Sequence, residues 1–307
     1  MSDSRILICD PINDDGIGIL REAGYNVILK TSITAPELIR IVGEYDAIVV
    51  RSRTKVTEEV LEAGKRLKAV ARAGVGLDNV DLKAAERIGI AVVNSPEAPS
   101  NAVAELVLGL MFSLARRVPQ ADQSMKRGEW IKGQLTGIEL NGRSLGIIGF
   151  GRIGYQLARK ARALGMQVLA YNVIIERLIE TMDEVGVEAV ELMELLRSSD
   201  FVSVHVPLLP ETRHMIGAEE ISAMKDGAYL INAARGGVID DEALRKALVS
   251  GKLAGAALDV YEEEPPRDIS LTGLENVVSL PHIGAATVEA QKANSTIVAD
   301  KLIKILG

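Results

Sequence analysis

Short apolar runs alternate with amphipathic stretches along the first hundred residues of the chain. Runs rich in Ile, Val and Ala are typical of buried strands, and apolar positions three and four apart are typical of helices. The predicted strands are residues 6–9, 25–29, 47–50, 69–71 and 91–93. The predicted helices are residues 16–22, 35–41, 58–63 and 82–87. Strands that alternate with helices in this way predict a parallel sheet.

A second alternating series follows a break at Pro96 and Pro99. Ser100 is the predicted N-cap of a long helix over residues 101 to about 117. The tail, residues 288–306, has the apolar spacing of a helix, and we expect it to pack on the first lobe. The predicted strands of the second series are residues 144–148, 167–171, 201–206, 228–232, 255–258 and 277–279.

Composition narrows the class of protein. The chain has 307 residues, 48% of them apolar but only 3% aromatic, which suits buried parallel strands of Val, Ile, Leu and Ala. The net charge of −7 argues against nonspecific nucleic-acid binding. No secretory signal is visible, and the apolar stretch 102–115 is too short to cross a bilayer. We therefore expect a cytoplasmic protein with no nucleic-acid or membrane partner, whose single cysteine, Cys9, is a core residue.

A glycine motif, G-F-G-R-I-G at residues 149–154, lies between an apolar run and a helical stretch. Strand, glycine turn and helix in this order are the context in which G-x-G-x-x-G predicts dinucleotide binding. Gly149 permits the tight turn, Gly151 lets a pyrophosphate approach the backbone, and Gly154 lets the helix pack on the strand. N–H groups near Arg152 and Ile153 would bind phosphate. The alternative is a glycine turn in an unrelated α/β protein.

The choice of cofactor depends on the end of the next strand, where an NAD site usually places an acid on the ribose hydroxyls. The chain has Asn172 there, which can bond a hydroxyl but would not repel a 2′-phosphate. Arg177 is near enough to attract such a phosphate. We favour NAD over NADP.

Further cofactor contacts are expected beyond the strands that follow. His205 ends a strand and is expected beside the adenosine or the nicotinamide-proximal ribose, although a histidine satisfied at a strand end is an equal alternative. Thr212 lies in a loop at the same edge, and His214 is expected to be merely exposed. The remaining candidates are Pro207, Ala233, Ala234, Gly284 and Ala285, and no metal is expected.

Three polar segments each follow a predicted strand, and ligands of an open parallel sheet gather beyond the carboxyl ends of its strands. Oxidation of an alcohol needs a base for the proton, and His282 suits this step because the reference pKa of histidine is about 6.5. Glu264 is the candidate carboxylate that orients His282 and raises its pKa. Arg235 has a planar fork that pairs with the carboxylate of a 2-hydroxy or 2-keto acid. Asp259 would hold the nicotinamide carboxamide or its ribose.

Each of these residues also has a plain structural interpretation. Arg235 could cap a helix or form a surface ion pair, residues 262–264 could be a solvated run of glutamates, and His282 could be structural. Their joint occurrence after three strands, all downstream of the glycine motif, favours the catalytic interpretation.

The two series predict an α/β protein with two Rossmann-like or flavodoxin-like parallel-sheet domains, the nucleotide-binding domain inserted into the other. We expect residues 1–98 and 287–307 to form the substrate-binding domain and residues 99–286 to form the NAD-binding Rossmann domain. Because two crossings join the lobes, we expect a hinge, with substrate and cofactor meeting in the cleft.

Four stretches of the chain resemble the D-isomer-specific 2-hydroxyacid dehydrogenase family, and the similarity covers nearly the whole chain. The resemblance implies NAD as cofactor and Arg235, Glu264 and His282 as catalytic residues. It also implies a homodimer built around the long helix after Asn101 and the segment that holds Trp130. The four stretches read VRSRTKVT (50–57), RAGVGLDNVD (72–81), NAARGG (232–237) and ALDVY through EPP (257–266).

Two departures from the family pattern change the expectations. Asn172 stands where the family usually has Asp, which leaves a strict choice of NAD open. The chain ends at Gly307, so we expect neither the regulatory domains that many relatives append nor strong inhibition by serine.

Charge in the first lobe favours a phosphorylated acid as substrate. Residues 51–72 hold seven basic and three acidic side chains in a chain of net charge −7. Cations in loops and backbone N–H groups would balance a phosphate and a carboxylate. We expect Arg51 or Arg53 to contact the phosphate, and the alternative is a solvated basic helix face. The candidate substrate-binding residues are Arg51, Ser52, Arg53, Val75, Gly76 and Asn101.

Within the family, we expect oxidation of D-3-phosphoglycerate to 3-phosphohydroxypyruvate, the first step of L-serine synthesis. The nearest alternative is a reductase of glyoxylate, hydroxypyruvate or another 2-keto acid. A nicotinamide-sensing binding protein that recruits partners is an alternative of a different class. An enzyme similar to adenosylhomocysteine hydrolase is a third alternative, and it would need a different substrate lobe.

Overall fold

The computed structural model describes residues 4–307, which form two compact units. One unit runs to Ala102 and resumes at Ala285–Gly307, and the other is Val103–Gly284. Each unit holds one parallel sheet flanked by helices. The predicted fold class, two parallel-sheet α/β units, is confirmed.

The first unit contains a five-stranded sheet in the order β2-β1-β3-β4-β5, with every pair parallel. This is the flavodoxin-like order. The central strands are buried apolar runs because helices cover both faces, whereas the edge strands β2 and β5 are partly exposed. The strands are β1 Arg5–Ile8, β2 Asn26–Leu29, β3 Ala47–Val50, β4 Ala69–Arg72 and β5 Ala91–Asn94.

The second unit contains a seven-stranded sheet in the order β12-β11-β10-β9-β6-β7-β8, again with parallel pairs. This is the Rossmann order with one added strand, and the order of the strands reverses between β6 and β9. The strands are β6 Ser144–Ile148, β7 Gln167–Tyr171, β8 Glu188–Ala189, β9 Phe201–Val204, β10 Ala228–Asn232, β11 Leu253–Leu258 and β12 Val277–Ser279.

Helices connect the strands, and several of them begin at polar caps. Asn13, Asp81, Asp240 and Thr287 each accept a bond from the first turn of the helix that follows. Ser100, predicted as a cap, is instead the first residue of its helix. The helices are α1 Asp14–Glu22, α2 Ala35–Ile41, α3 Glu58–Ala63, α4 Leu82–Ile88, α5 Ser100–Arg116, α6 Val118–Lys126, α7 Arg152–Ala163, α8 Ile179–Glu184, α9 Leu192–Ser198, α10 Ala218–Ala223, α11 Asp241–Ser250 and α12 Val288–Leu306.

Helix α12 completes the core of the first unit. Val298, Ala299 and Leu302 are buried in one cluster with β1 residues such as Ile6 and with Leu20 of α1. The predicted packing of the tail on the first lobe is therefore confirmed. In residues 4–307, none of the helices combines the length and apolarity needed to cross a membrane.

Cys9 lies just after β1 and is fully buried. Burial, with the nearby charge of Asp10, raises the pKa of its thiol to about 12. Its prediction as a core residue is confirmed, because a thiol in this setting stays protonated and unreactive.

Candidate active site

The glycine motif forms the turn between β6 and α7, as the sequence predicts. Gly149 has φ of +96°, and its N–H donates to the Tyr171 carbonyl at 2.8 Å. A Cβ at Gly149 would lie 2.7 Å from the His205 carbonyl oxygen, and one at Gly154 would lie 2.8 Å from the Gly149 carbonyl oxygen. These two glycines are therefore required by the packing of the protein itself.

Gly151 is different, because a Cβ there would meet no atom within 4 Å. Gly151 is the N-cap of α7 and makes no side-chain cap, and Arg152 and Ile153 form the first turn. The protein thus leaves open space beside a twelve-residue helix whose first N–H groups need acceptors. The pyrophosphate of a dinucleotide fits this space, since helix N-termini bind phosphate.

Asn172 directly follows β7 and is half-buried. Its carboxamide oxygen accepts the N–H of Ile174 at 3.1 Å, which closes a short local turn. Arg177 lies exposed at the end of the following 3-10 helix, Ile175–Arg177. The asparagine therefore has a structural use at this site in addition to its predicted ribose contact.

The loop after β9 carries the next predicted contacts. The Nε2 atom of His205 lies 2.9 Å from the Ser203 hydroxyl, whereas its Nδ1 atom is buried with no hydrogen-bond partner among the described residues. Burial lowers the pKa of His205 to about 4, so the ring is neutral at neutral pH. The Thr212 hydroxyl donates to the Pro207 carbonyl at 2.6 Å and accepts the Leu209 N–H at 2.8 Å, which folds this loop on itself.

The loop after β10 is organised by Asn232, whose role was not predicted. Its side-chain oxygen accepts the Ala234 N–H at 3.0 Å, and its amide group donates to the Arg235 carbonyl at 2.9 Å. Ala233 and Ala234 are buried, and Arg235 is half-buried. The Arg235 guanidinium donates to the Ala234 carbonyl at 2.6 Å. The Asn232 side chain thus fixes the backbone on both sides of Arg235.

Asp259 follows β11 and is only 1% exposed. Its two carboxylate oxygens accept the N–H groups of Ile283 and Gly284, each at 2.7 Å. Burial raises the pKa of Asp259, and the two backbone donors oppose that rise. Asp259 therefore ties the end of β11 to the loop that carries His282, a role that was not predicted. An acid placed directly after a buried apolar strand was the available signal, because such a group must find donors.

His282 and Glu264 lie in contact, with Nδ1 of the ring 2.7 Å from Oε2 of the carboxylate. The second oxygen of Glu264 accepts the Tyr261 N–H at 3.2 Å. The Tyr261 hydroxyl donates to the carbonyl oxygen of Leu258, the last residue of β11, at 3.1 Å and lies 2.9 Å from the carbonyl oxygen of Leu280, two residues before His282. His282 has φ of +54°, an unfavourable conformation that the surrounding bonds maintain. Both side chains of the pair remain exposed to solvent.

The predicted substrate residues lie in the other unit. There the carboxylate of Asp10 accepts hydrogen bonds from the loop after β3. Asp10 is 1% exposed, and it accepts the Arg51 N–H at 2.6 Å and the Thr54 hydroxyl at 2.8 Å. The Arg53 guanidinium lies 2.9 Å from Asp10 and donates to the Cys9 carbonyl at 2.6 Å. It also donates to two further carbonyls, those of residues 31 and 33. Arg53 is thus committed to the fold.

Arg51 has fewer contacts than Arg53. Its guanidinium lies 3.4 Å from the Pro11 carbonyl, and its side chain is half-buried. Ser52 is exposed, and Val75 and Gly76 are half-buried beyond β4. The remaining predicted substrate residue, Asn101, is exposed in the first turn of α5.

The structure thus collects most of the predicted residues at the carboxyl edges of two sheets. The unit Val103–Gly284 holds Gly149, Gly151, Arg152, Ile153, Gly154, Asn172, His205, Pro207, Thr212, Ala233, Ala234, Arg235, Asp259, Glu264, His282 and Gly284. The other unit holds Arg51, Ser52, Arg53, Val75, Gly76, Asn101 and Ala285.

The Rossmann sheet and the glycine turn are features of a dinucleotide-binding protein. The chain belongs to the D-isomer specific 2-hydroxyacid dehydrogenases, because the model of the NAD binding domain of that family matches residues 108–284. The family predicted from the sequence is confirmed.

Particular relatives are similar over nearly the whole chain. D-3-phosphoglycerate dehydrogenase of Methanocaldococcus jannaschii is 50% identical over 303 residues, which are 98% of this chain and 57% of that relative. Hydroxypyruvate reductase of Thermotoga maritima is 45% identical over 310 residues and matches 100% of both chains. The chain therefore spans little more than half the length of the first relative and the full length of the second.

Solved structures agree with the fold. A glyoxylate reductase from Paecilomyes thermophila superposes with a TM-score of 0.88 at 33% identity and covers 100% of this chain and 96% of its own.

Proposed function

We propose that the chain is an NAD-dependent dehydrogenase that oxidises D-3-phosphoglycerate to 3-phosphohydroxypyruvate, the first step of L-serine synthesis. The observation that carries this proposal is the His282–Glu264 pair at 2.7 Å, on a loop held by Asp259 in the same unit as the glycine turn. The name of the Methanocaldococcus relative supports the choice of substrate.

His282 acts as the base in this proposal. Its Nδ1 atom faces Glu264, so Nε2 is the ring atom that takes the proton from the substrate hydroxyl. The Glu264 carboxylate fixes the ring and stabilises the imidazolium that forms. When bound, a nicotinamide cofactor would supply the acceptor for the hydride that leaves the carbon bearing that hydroxyl. The Arg235 guanidinium pairs with the substrate carboxylate through its planar fork.

NAD is the proposed cofactor. The space at Gly151 and the N-terminus of α7 would hold the pyrophosphate, and Asn172 would lie at the adenosine ribose. Turnover with NAD⁺ and NADP⁺ at equal concentrations tests this choice, and a clear preference for NADP⁺ contradicts it.

Arg51 is the proposed contact for the substrate phosphate. The Arg53 guanidinium already bonds three carbonyls and Asp10, so Arg51 is the more available of the two cations. The backbone N–H groups near Val75 and Gly76 are proposed to assist with the carboxylate.

A homodimer is the proposed assembly. Large apolar side chains are exposed along α5, α6 and the segment after them, and Trp130 is 78% exposed. Apolar side chains exposed in one region favour an interface. Light scattering tests the assembly, and the expected mass is twice the 32.9 kDa of one chain.

A second candidate function is the reduction of hydroxypyruvate, glyoxylate or another 2-keto acid. The specific observation is that the Thermotoga hydroxypyruvate reductase and this chain match over their full lengths. In that case the same residues act in reverse, and His282 delivers a proton to the keto oxygen.

One assay separates the two candidates. NADH formation is followed with 3-phosphoglycerate while the keto product is removed, and NADH consumption is followed with hydroxypyruvate and with glyoxylate. A kcat/KM for 3-phosphoglycerate that exceeds that for unphosphorylated glycerate at least tenfold supports the proposal. Turnover of the unphosphorylated keto acids alone supports the second candidate.

A further inference from the structure

Glu262 connects two loops at the carboxyl edge of the second sheet. Its Oε1 atom lies 2.5 Å from Nε2 of His214, and its Oε2 atom lies 3.6 Å from the Arg213 guanidinium. Both partners belong to the loop after β9, whereas Glu262 belongs to the loop after β11, two residues before Glu264. From the sequence we expect an exposed His214 and consider a solvated glutamate run at 262–264 only as an alternative, and neither anticipates this pair.

The loop that carries Arg235 lies between these two loops. A Cβ at Gly236 would lie 1.8 Å from the Tyr261 carbonyl oxygen and 2.6 Å from the Glu262 nitrogen, so the two backbones are in direct contact. On the other side, the N–H of His214 donates to the Gly237 carbonyl at 2.8 Å. Three successive loops are therefore in contact, and the Glu262–His214 pair joins the outer two across the middle one.

His214 is also held in an unfavourable backbone conformation. Its φ is +51°, in the left-handed region that residues other than glycine rarely adopt. Such a conformation persists only where surrounding contacts maintain it, and at this position those contacts are the Gly237 carbonyl and the Glu262 carboxylate.

We propose that Glu262 is a positioning residue, which through His214 holds the Arg235 loop and the Glu264 loop in the geometry that the reaction needs. This inference rests on the proposed function. The pair is partly exposed, with 38% and 34% of the two side chains accessible, and exposed pairs contribute little to global stability. Its effect is therefore on the placement of the two loops and not on folding.

A third titratable group, Asp241 at the start of α11, faces the same pair. Burial, followed by the charges of Glu262 and Asp240, raises the pKa of Asp241 to about 6, while His214 opposes that rise. The groups that act on this cluster are thus Arg213 and His214 from one loop, Asp240 and Asp241 from the helix start, and Glu262 itself. Removal of the Glu262 charge therefore lowers the pKa of Asp241.

The test is Glu262→Gln, with Glu263→Gln as the matched control. Glu263 is the exposed neighbour, and its carboxylate pairs with Arg267 at 2.9 Å on the same loop. We expect Glu262→Gln to lower kcat about tenfold, because small displacements of the reacting groups strongly lower the rate of the reaction. KM for the hydroxy acid, the Kd of NAD⁺ and Tm are expected to change little, and Glu263→Gln is expected to match the parent in every measurement.

Hydrogen exchange in the cofactor-free protein gives a readout that does not depend on activity. Residues 207–216, 233–240 and 260–266 are expected to exchange faster in Glu262→Gln and to be unchanged in Glu263→Gln. His214→Gln, which keeps a side-chain donor, is expected to retain more activity than His214→Ala.

The inference is overturned if the parent turns over and Glu262→Gln keeps kcat within twofold. It is also overturned if the loss of kcat comes with a large fall in Tm and a general rise in exchange, since that indicates a structural role. Absence of turnover in the parent with every 2-hydroxy and 2-keto acid tested is a separate result, which refutes the proposed function and this inference with it.

Discussion

Each of the two units places a buried aspartate just beyond an interior strand, and the two aspartates have different partners. Asp10 follows β1 and meets a cation, the Arg53 guanidinium, together with the backbone and hydroxyl of Thr54. Asp259 follows β11, and both its oxygens accept backbone N–H groups of the loop that carries His282. The two carboxylates are equally inaccessible, at 1% exposure each.

The difference indicates how the same position in a parallel sheet can serve stability in one unit and, in the proposed reaction, chemistry in the other. Around Asp10, the carboxylate and the Arg53 guanidinium neutralise each other, so this guanidinium is engaged in contacts within the fold. Around Asp259 the donors are backbone groups, so the ionisable side chains nearby, His282 and Glu264, remain exposed and able to act. Substitutions in the two regions should therefore separate loss of stability from loss of activity.

His282→Gln should give the largest effect on activity. General acid–base catalysis contributes roughly 10²–10⁴-fold, so we expect kcat to fall by about that factor. NAD⁺ binding and Tm should be preserved, because the side chain is exposed and bonds only Glu264 among the described residues. Steady-state kinetics and calorimetric titration of NAD⁺ measure the two quantities. A kcat within threefold of the parent would remove His282 from the mechanism.

Asp259→Asn and Asp10→Asn test the comparison directly. Each change sets an NH₂ group against an N–H donor, at a cost of about 1–3 kcal/mol in stability. We expect kcat to fall at least tenfold for Asp259→Asn, because the loop of His282 loses an anchor, and to stay within threefold for Asp10→Asn. Chemical unfolding measures the stability of both variants, and turnover measured on the same samples gives their kcat. Equal effects of the two changes on kcat would end the distinction.

Arg51→Ala and Arg53→Ala form a matched pair within the first unit. Loss of the Arg53 guanidinium leaves Asp10 without its cation, so we expect about 1–3 kcal/mol lower stability. Loss of the Arg51 guanidinium should leave stability nearly unchanged and raise KM for 3-phosphoglycerate roughly tenfold or more, the typical effect of one charge-assisted hydrogen bond. The opposite pattern, with KM raised only by Arg53→Ala, would assign the phosphate to Arg53.

Gly151→Ala and Gly154→Ala separate ligand space from packing in the second unit. A Cβ at Gly151 meets no protein atom within 4 Å, so Tm should be retained while the Kd of NAD⁺ rises about tenfold through contact with the phosphates. A Cβ at Gly154 lies 2.8 Å from a backbone carbonyl, so that variant should lose about 1–3 kcal/mol of stability. Unchanged NAD⁺ affinity in Gly151→Ala contradicts the proposed pyrophosphate position.

The last prediction concerns the pH dependence of stability. Burial lowers the pKa of His205 from 6.5 to about 4, so between these values the unfolded chain binds a proton that the folded chain does not. The stability of the parent should be fully present above pH 6.5 and should fall toward pH 4, by at most about 1.4 kcal/mol per pH unit for this group. His205→Gln should remove that slope. Unfolding measured between pH 7.5 and 9 is the internal control, where the difference between the proteins must not vary with pH.

The elements of the fold could be predicted from the sequence because strand signals are local. Strands such as Ala47–Val50 and Ser144–Ile148 are continuous apolar runs, and they were predicted with their observed bounds. Strand β8, Glu188–Ala189, was missed because it is two exposed residues with no apolar pattern. The predicted strand 201–206 ends at Val204, where the chain turns into the loop that holds His205.

The candidate site could be predicted only as a set of residue types. A run such as NAARGG indicates which side chains carry charge, but their partners come from other strands, and these depend on the order of the sheet. The Arg53 guanidinium bonds carbonyls from residues 9, 31 and 33, and Glu262 pairs with His214. No spacing in the sequence encodes these contacts, so the use of Arg53 by the fold and the pairing of His214 required the structure.

The packing of helix α12 on the first sheet has a consequence for synthesis of the protein. Ile6 and Leu20 are synthesised nearly three hundred residues before their neighbours Val298 and Leu302. All strands of the intervening unit, Val103–Gly284, have been synthesised by then, so this unit can fold before the first unit is complete. The unit whose synthesis begins first is thus the one completed last. In a nascent chain interrupted before residue 288, the apolar face of the first sheet that α12 covers stays exposed and can bind chaperones.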